Sequence, residues 1–224
     1  MVRHGWFFFA LFSQFRFSIS LGLVERPLVI GLLWGLFVGQ LETSLFIAVF
    51  YELLWLDFIP VGTFIPPNMC AASLTALAIS SYFGLDSLPL IALPLALGLP
   101  MAWLGAKLER VMRDRLNRSY GGVLQWVRKP IDVGVPGRLL MGSLASKVLA
   151  NWVFFLVGAG CAALITRFAL THYGPFLASL KLSWSYLLIA ASVGGLLALR
   201  LRSLYVSIAA GAVALGILRI LGIF

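Results

Sequence analysis

Between Arg26 and Asn68 the chain is almost wholly apolar, yet it carries Gln40, Glu42, Glu52 and Asp57 and closes through Pro60, Pro66 and Pro67. Roughly 20 residues make one straight transmembrane helix, so the stretch is long enough to cross a bilayer about twice. Straight spans have little use for ionisable groups, because a carboxylate at the bilayer centre costs about 2.5–3.5 kcal/mol on insertion scales and normally faces a cavity or a partner. Nor do straight spans end in Pro60-Val61-Gly62 and Pro66-Pro67-Asn68. Proline removes a backbone donor, and broken backbone at membrane depth is tolerated only against protein or a water-filled cavity. Broken helices with polar residues at the breaks are how transporters build binding sites. The stretch therefore reads as a substrate site.

Hydrophobic residues make up 61% of the 224 and charged residues 11%, with a mean hydropathy of +1.01. Soluble domains are about 45–50% apolar and about 25% charged. The apolar residues come in long runs rather than in alternating ten-residue strands, which argues against a β-barrel. The expected fold is all-α, a polytopic helical membrane protein with short broken or re-entrant helices in the N-terminal half. The chain reads as a single membrane domain, 1–224.

The net charge of +9 does not indicate nucleic acid. Nine of the 17 basic residues fall from Lys107 to Lys147, and cationic segments beside spans stay on the cytoplasmic side. That segment also lacks the interleaved aromatics of a single-strand groove. It reads as a basic cytoplasmic loop, 107–147, inserted in the helical domain and available to a cytoplasmic partner. Its first part, Lys107–Asn117, carries the i,i+4 pairs Glu109/Arg113 and Arg110/Asp114 and should be a solvated helical extension. Gly121-Gly122, Pro130, Gly134 and Pro136-Gly137 are expected to break the remainder into a loop.

Around this loop, Pro27–Gly39 and Leu41–Phe58 are too short or too interrupted for ordinary spans and read as a hairpin of short helices. Met69–Phe83 and Leu88–Gly105 are two further hydrophobic segments, Val148–Leu170 is a long span, His172–Lys181 a polar turn, and Leu187–Leu199 and Leu204–Leu221 finish the chain. Arg200 and Arg202 fall on the same side as the loop if these spans alternate. Met1–Val24 reads as an uncleaved helix, amphipathic or partly embedded in the membrane, because Gln14 and Arg16 interrupt its apolar run. Gly31, Gly35 and Gly39 repeat at four-residue spacing, which suits close helix packing either within the chain or between subunits. Gly194-Gly195, Gly211 and Gly216 carry the same two readings.

No P-loop, GxGxxG, HExxH or nucleophile elbow is present. Cys70 and Cys161 form no CxxC pair, and His4 and His172 flank spans far apart in sequence. The sequence thus implies no catalytic residue, no metal and no cofactor.

The ordered set Arg26-Pro27-Leu28, Gly39-Gln40, Glu52, Gly62 and Pro67-Asn68 resembles the C subunit of mannose/fructose/sorbose-family sugar phosphotransferase systems over about residues 25–75. That family has Asp where Gln40 and Asn68 stand here. Both changes remove a charge while keeping hydrogen-bonding capacity, and amides still bind sugar hydroxyls. The resemblance implies that the chain carries a hexose-type sugar across a bacterial inner membrane. It implies a D-type membrane subunit, cytoplasmic A and B phosphocarrier subunits that do the phosphoryl transfer, and a homo-oligomer within the complex. The residues it implies for sugar binding are Glu52, Asn68, Gln40, Pro67 and Gly62, with Trp34 or Trp55 available to cover an apolar sugar face.

Several of these residues have a second reading. Glu52 is suited to sugar contact, to proton coupling, or to pairing with Arg26 or a neighbouring helix backbone. Gln40 is placed equally to cap a helix, and Trp34 and Trp55 to pack or to anchor at the interface. Two further functions fit the same sequence: a non-transporting membrane assembly or regulatory subunit, and a stand-alone ion-coupled transporter.

Overall fold

The computed structural model describes residues 26–56, 65–128, 135–199 and 202–220. The expectations placed on Met1–Val24, Asp57, Pro60, Gly62, Pro130, Gly134 and Arg200 lie outside the described residues. The described elements are all α-helices: α1 (Pro27–Val38), α2 (Leu41–Leu54), α3 (Met69–Phe83), α4 (Leu88–Arg128), α5 (Val135–Ser179), α6 (Trp184–Ala198) and α7 (Arg202–Ile220).

Local chemistry sets the ends of the first three. Pro27 opens α1, where its missing N–H costs nothing, and Gly39 closes it at φ 79°, a left-handed cap that glycine adopts without strain. Gln40 then stands at the N-cap of α2 without a side-chain capping bond. Asn68 caps α3, its Oδ1 accepting from the Ala71 N–H, and Gly84 closes it at φ 61°. At about 1.5 Å per residue these three helices are about 18, 21 and 22 Å long, short of the ~30 Å hydrocarbon core. The described helices between Pro27 and Phe83 are thus short, as expected.

α3 sits at the centre. Eleven of its 15 residues are buried, and they lie on every face. It can be enclosed because its side chains are small: Ala71, Ala72, Ser73, Thr75, Ala76, Ser80 and Ser81 let neighbours approach closely. Helices in lipid associate through such packing, since apolar area alone gives no drive there. α1 and α2 form a hairpin against it, and a methyl group at Gly31 would overlap Ala48, while one at Gly35 would lie 2.8 Å from the Leu41 Cα. Gly31 and Gly35 therefore serve packing within the chain, the first of their two expected readings. Gly195 does the same, lying against the Leu53 carbonyl where α6 packs along α2. Phe46 and Trp184 stack in the same contact with ring centroids 4.9 Å apart.

The hydroxyls on α3 show how polar groups are accommodated in this core. Ser73 Oγ donates to the Met69 carbonyl at 2.8 Å and Thr75 Oγ1 to the Ala71 carbonyl at 2.6 Å. Ser80 Oγ is buried without a partner among the described residues. An unmade buried hydrogen bond costs about 1–3 kcal/mol, whereas a made one contributes about 1. Thr75→Ala should therefore lower the thermal midpoint in detergent, and Ser80→Ala should hold it or raise it. A fall for Ser80→Ala as large as for Thr75→Ala would mean that its hydroxyl is satisfied.

The basic loop expected over 107–147 is not a loop. α4 runs unbroken through Gly121-Gly122 to Arg128, and α5 runs from Val135 through Ser179. The described residues of the segment, 107–128 and 135–147, belong to extensions of these two helices, which are about 61 and 67 Å long at 1.5 Å per residue. Two physical reasons explain the difference. Glycine inside a helix costs only about 1 kcal/mol, and Pro136 falls in the first turn of α5, where no intrahelical donor is needed. Likewise 172–179 continues α5, and the turn is confined to residues 180–183. The expected Glu109/Arg113 pair forms, with Arg113 Nη2 donating to Glu109 Oε1 at 2.6 Å. Apolar spans of membrane length run over Leu88–Asn117 and Leu140–Ser179. The second leaves Leu149, Trp152, Val153, Leu156 and Val157 exposed, which suits a hydrocarbon solvent.

Candidate functional site

The expected site residues separate into two groups. Tyr51 Oη and the Ala72 carbonyl both crowd the Cα of Gly98, and Asn68 crowds Gly105. The end of α2, the start of α3 and the middle of the α4 span therefore pack together. Glu52, next to Tyr51, and Pro67-Asn68 belong to this end. Gln40 belongs to the other, about 18 Å from Glu52 along α2 at 1.5 Å per residue. No hexose reaches both.

Glu52 is held where α1 begins. Arg26 Nη1 donates to its Oε1 at 3.0 Å, and the Leu28 N–H points to its Oε2 at a long 3.4 Å. The Glu52 side chain is 14% exposed and that of Arg26 39%, so the guanidinium is the more open of the two groups. These are the contacts of the pairing reading: Arg26 and a neighbouring helix backbone. Among the described residues they leave part of the acceptor capacity of the carboxylate unused, since it offers about four lone-pair sites.

Asn68 is more completely engaged. Its Oδ1 accepts from the Ala71 N–H at 3.0 Å, and its own N–H donates to the Ala102 carbonyl of α4 at 2.9 Å. The side chain thus caps α3 while the backbone ties that cap to α4. Pro66 and Pro67 are buried beside it. Gly105 makes the approach possible, because a Cβ there would stand 2.7 Å from the Asn68 Cβ.

Both tryptophans pack. Trp34 is buried and its Nε1 donates to Ser81 Oγ at 2.9 Å. Trp55 lies parallel to Tyr51, with centroids 5.2 Å apart and 9° between planes. Tyr51 went unnoticed in the sequence. It is fully buried, and its hydroxyl donates to the Leu95 carbonyl at 2.7 Å. Its partner lies 44 residues away in α4, and nothing local marks it. Gly98 and Gly105, seven residues apart on one face of α4, were the available signal.

The chain matches the family described as the PTS system sorbose-specific IIC component over residues 6–120, which takes in α1 to α3 and most of α4. That is more than half of its length. The chain belongs to this family. The described part of this IIC subunit's match contains Arg26, Glu52 and Asn68 and ends within the extension of α4. A solved structure described as "Structure of membrane protein" superposes on 97% of the chain and 90% of its own, with a TM-score of 0.64 at 16% identity. That likeness concerns the fold, and it extends through α5, α6 and α7, beyond the family match. No curated protein matches the sequence. The protein is a sugar-specific membrane component of a phosphotransferase system, a transport subunit.

Proposed function

We propose that the chain is the sugar-translocating C subunit of a phosphoenolpyruvate-dependent phosphotransferase system in a bacterial inner membrane. It binds a hexose-type sugar and presents it to a separate B subunit, which is charged by an A subunit, and it works with a D-type membrane subunit in an oligomeric complex. The observation that carries this reading is the placement of Glu52: a carboxylate among short apolar helices, with acceptor capacity to spare, at the end where α3 begins. Sugar hydroxyls are donors that such a carboxylate can engage. Asn68 and Pro67 belong to the same end, and Gly62 stands between them and Glu52 in the sequence. Gln40 closes the α1–α2 turn and lies outside this sugar contact. The cationic helical extensions of α4 and α5 face the cytoplasm and the phosphocarriers, as basic segments beside spans do.

Reconstituted vesicles test this. The chain, its D-type partner and the A and B subunits should together accumulate radiolabelled mannose, fructose or sorbose as the sugar phosphate when phosphoenolpyruvate is supplied. Accumulation of free sugar driven by an ion gradient, with the phosphocarriers omitted, would instead show a stand-alone transporter. An assembled complex that moves none of the three would leave the chain a non-transporting assembly subunit.

A further inference from the structure

We infer that Arg26 is a substrate-binding and specificity-determining residue, and that Arg26 and Glu52 together receive two adjacent hydroxyls of the sugar. The inference rests on the reading of Glu52 as a sugar contact and adds a second residue to it. One hydrogen bond joins the pair, Nη1 to Oε1 at 3.0 Å. A guanidinium carries five N–H donors in a fixed fork and a carboxylate about four acceptor sites, so a single bond leaves most of both. Oε2 has only the long contact to the Leu28 N–H among the described residues. The guanidinium is the open side of the pair and the carboxylate the sheltered side, at 39% and 14% exposure. An incoming diol therefore meets a donor and an acceptor side by side. One hydroxyl donates to Glu52 Oε2, while the oxygen of its neighbour accepts from an Arg26 N–H.

The base of the Arg26 side chain is fixed in advance. The residue lies at φ −68° and ψ 136°, the extended conformation favoured before proline. Its carbonyl accepts from the Val29 and Ile30 N–H groups at 3.1 Å each. Fixing a receptor before binding lowers the ordering cost that a ligand must offset.

The test uses the complex with its D-type partner in lipid nanodiscs, with binding of mannose, fructose, sorbose and their monodeoxy derivatives read beside thermal unfolding. Removing either of two adjacent hydroxyls from a bound sugar should weaken binding by about 10- to 150-fold, the range for hydrogen bonds to charged groups. Arg26→Lys keeps the ion pair but loses the planar fork; it should melt near the parent protein and bind at least about 10-fold more weakly. The exchange R26E with E52R should regain the stability of an ion pair without regaining affinity. Parent-like affinity in Arg26→Lys, or in the exchanged pair, would reduce Arg26 to a structural partner. If Arg26→Lys fails to fold, the exchanged pair decides. Unchanged binding in Glu52→Gln would sink the site itself. Loss in Glu52→Gln with none in Arg26→Lys would sink only the role of Arg26.

Discussion

Gly98→Val should lower the thermal midpoint more than any other substitution proposed for this protein. A Cβ at this position would overlap Tyr51 Oη and stand 2.9 Å from the Ala72 carbonyl oxygen, so the valine meets α2 and α3 at once. One neighbour is backbone and cannot swing aside. The other is a fully buried ring held by its hydrogen bond to the Leu95 carbonyl. Overpacking typically costs about 1–3 kcal/mol, and losing the tyrosine bond adds about 1. That is a large share of the roughly 5–15 kcal/mol that holds an ordinary domain together. Monodispersity on size exclusion and the thermal midpoint in detergent report the outcome. Gly121→Ala is the control: it is also inside α4 but has nothing within 4 Å of its would-be Cβ. There alanine should stabilise, by up to about 1 kcal/mol of helix propensity. Tyr51→Phe should reduce the penalty of Gly98→Ala, because removing the hydroxyl removes one of the overlapping atoms. Equal melting of Gly98→Val and the parent would show that α2, α3 and α4 do not meet at this glycine.

Glu52→Gln should weaken sugar binding by about 10- to 150-fold, with the fold intact. Folding should survive because glutamine keeps the shape of the side chain and an acceptor oxygen for Arg26, whose guanidinium is 39% exposed. Asn68→Asp is the companion variant. Aspartate caps a helix as well as asparagine does, and its charge is favourable at a helix N-terminus, so the Ala71 bond and the fold should be retained. Its effect on sugar should be a tighter Kd or a changed order among mannose, fructose and sorbose. Binding and unfolding must be read on the same samples. If Glu52→Gln melts early in step with its loss of binding, the carboxylate is a strut for α1. If both variants bind as the parent does, the end of the bundle holding Glu52 and Asn68 is not where sugar sits.

Much of the N-terminal half was legible. Pro27, Gly39, Asn68 and Gly84 mark where α1 and α3 start and stop because each acts through its own backbone or nearest neighbours, and Met69–Phe83 was bounded to the residue. The basic segment misled for a related reason. Gly121, Gly122 and Pro136 are punctuation by rule, but Pro136 stands where α5 begins and its missing donor breaks no bond. The glycines stand in a helix whose neighbours on both sides continue it. Pro94 and Pro100 lie inside α4 without ending it, since lipid offers a broken backbone no water and the surrounding helices must satisfy it.

Composition and short motifs were enough for the solvent of this protein, its helical class and its family. Those follow from composition, periodicity and short ordered motifs, which are properties of near neighbours along the chain. How the helices pack settled that Glu52 meets Arg26 and that Tyr51 and Trp34 direct their polar atoms to Leu95 and Ser81. Those contacts join residues 26 to 47 positions apart. Each depends on how closely two helices approach, which small residues such as Gly98 permit but do not announce.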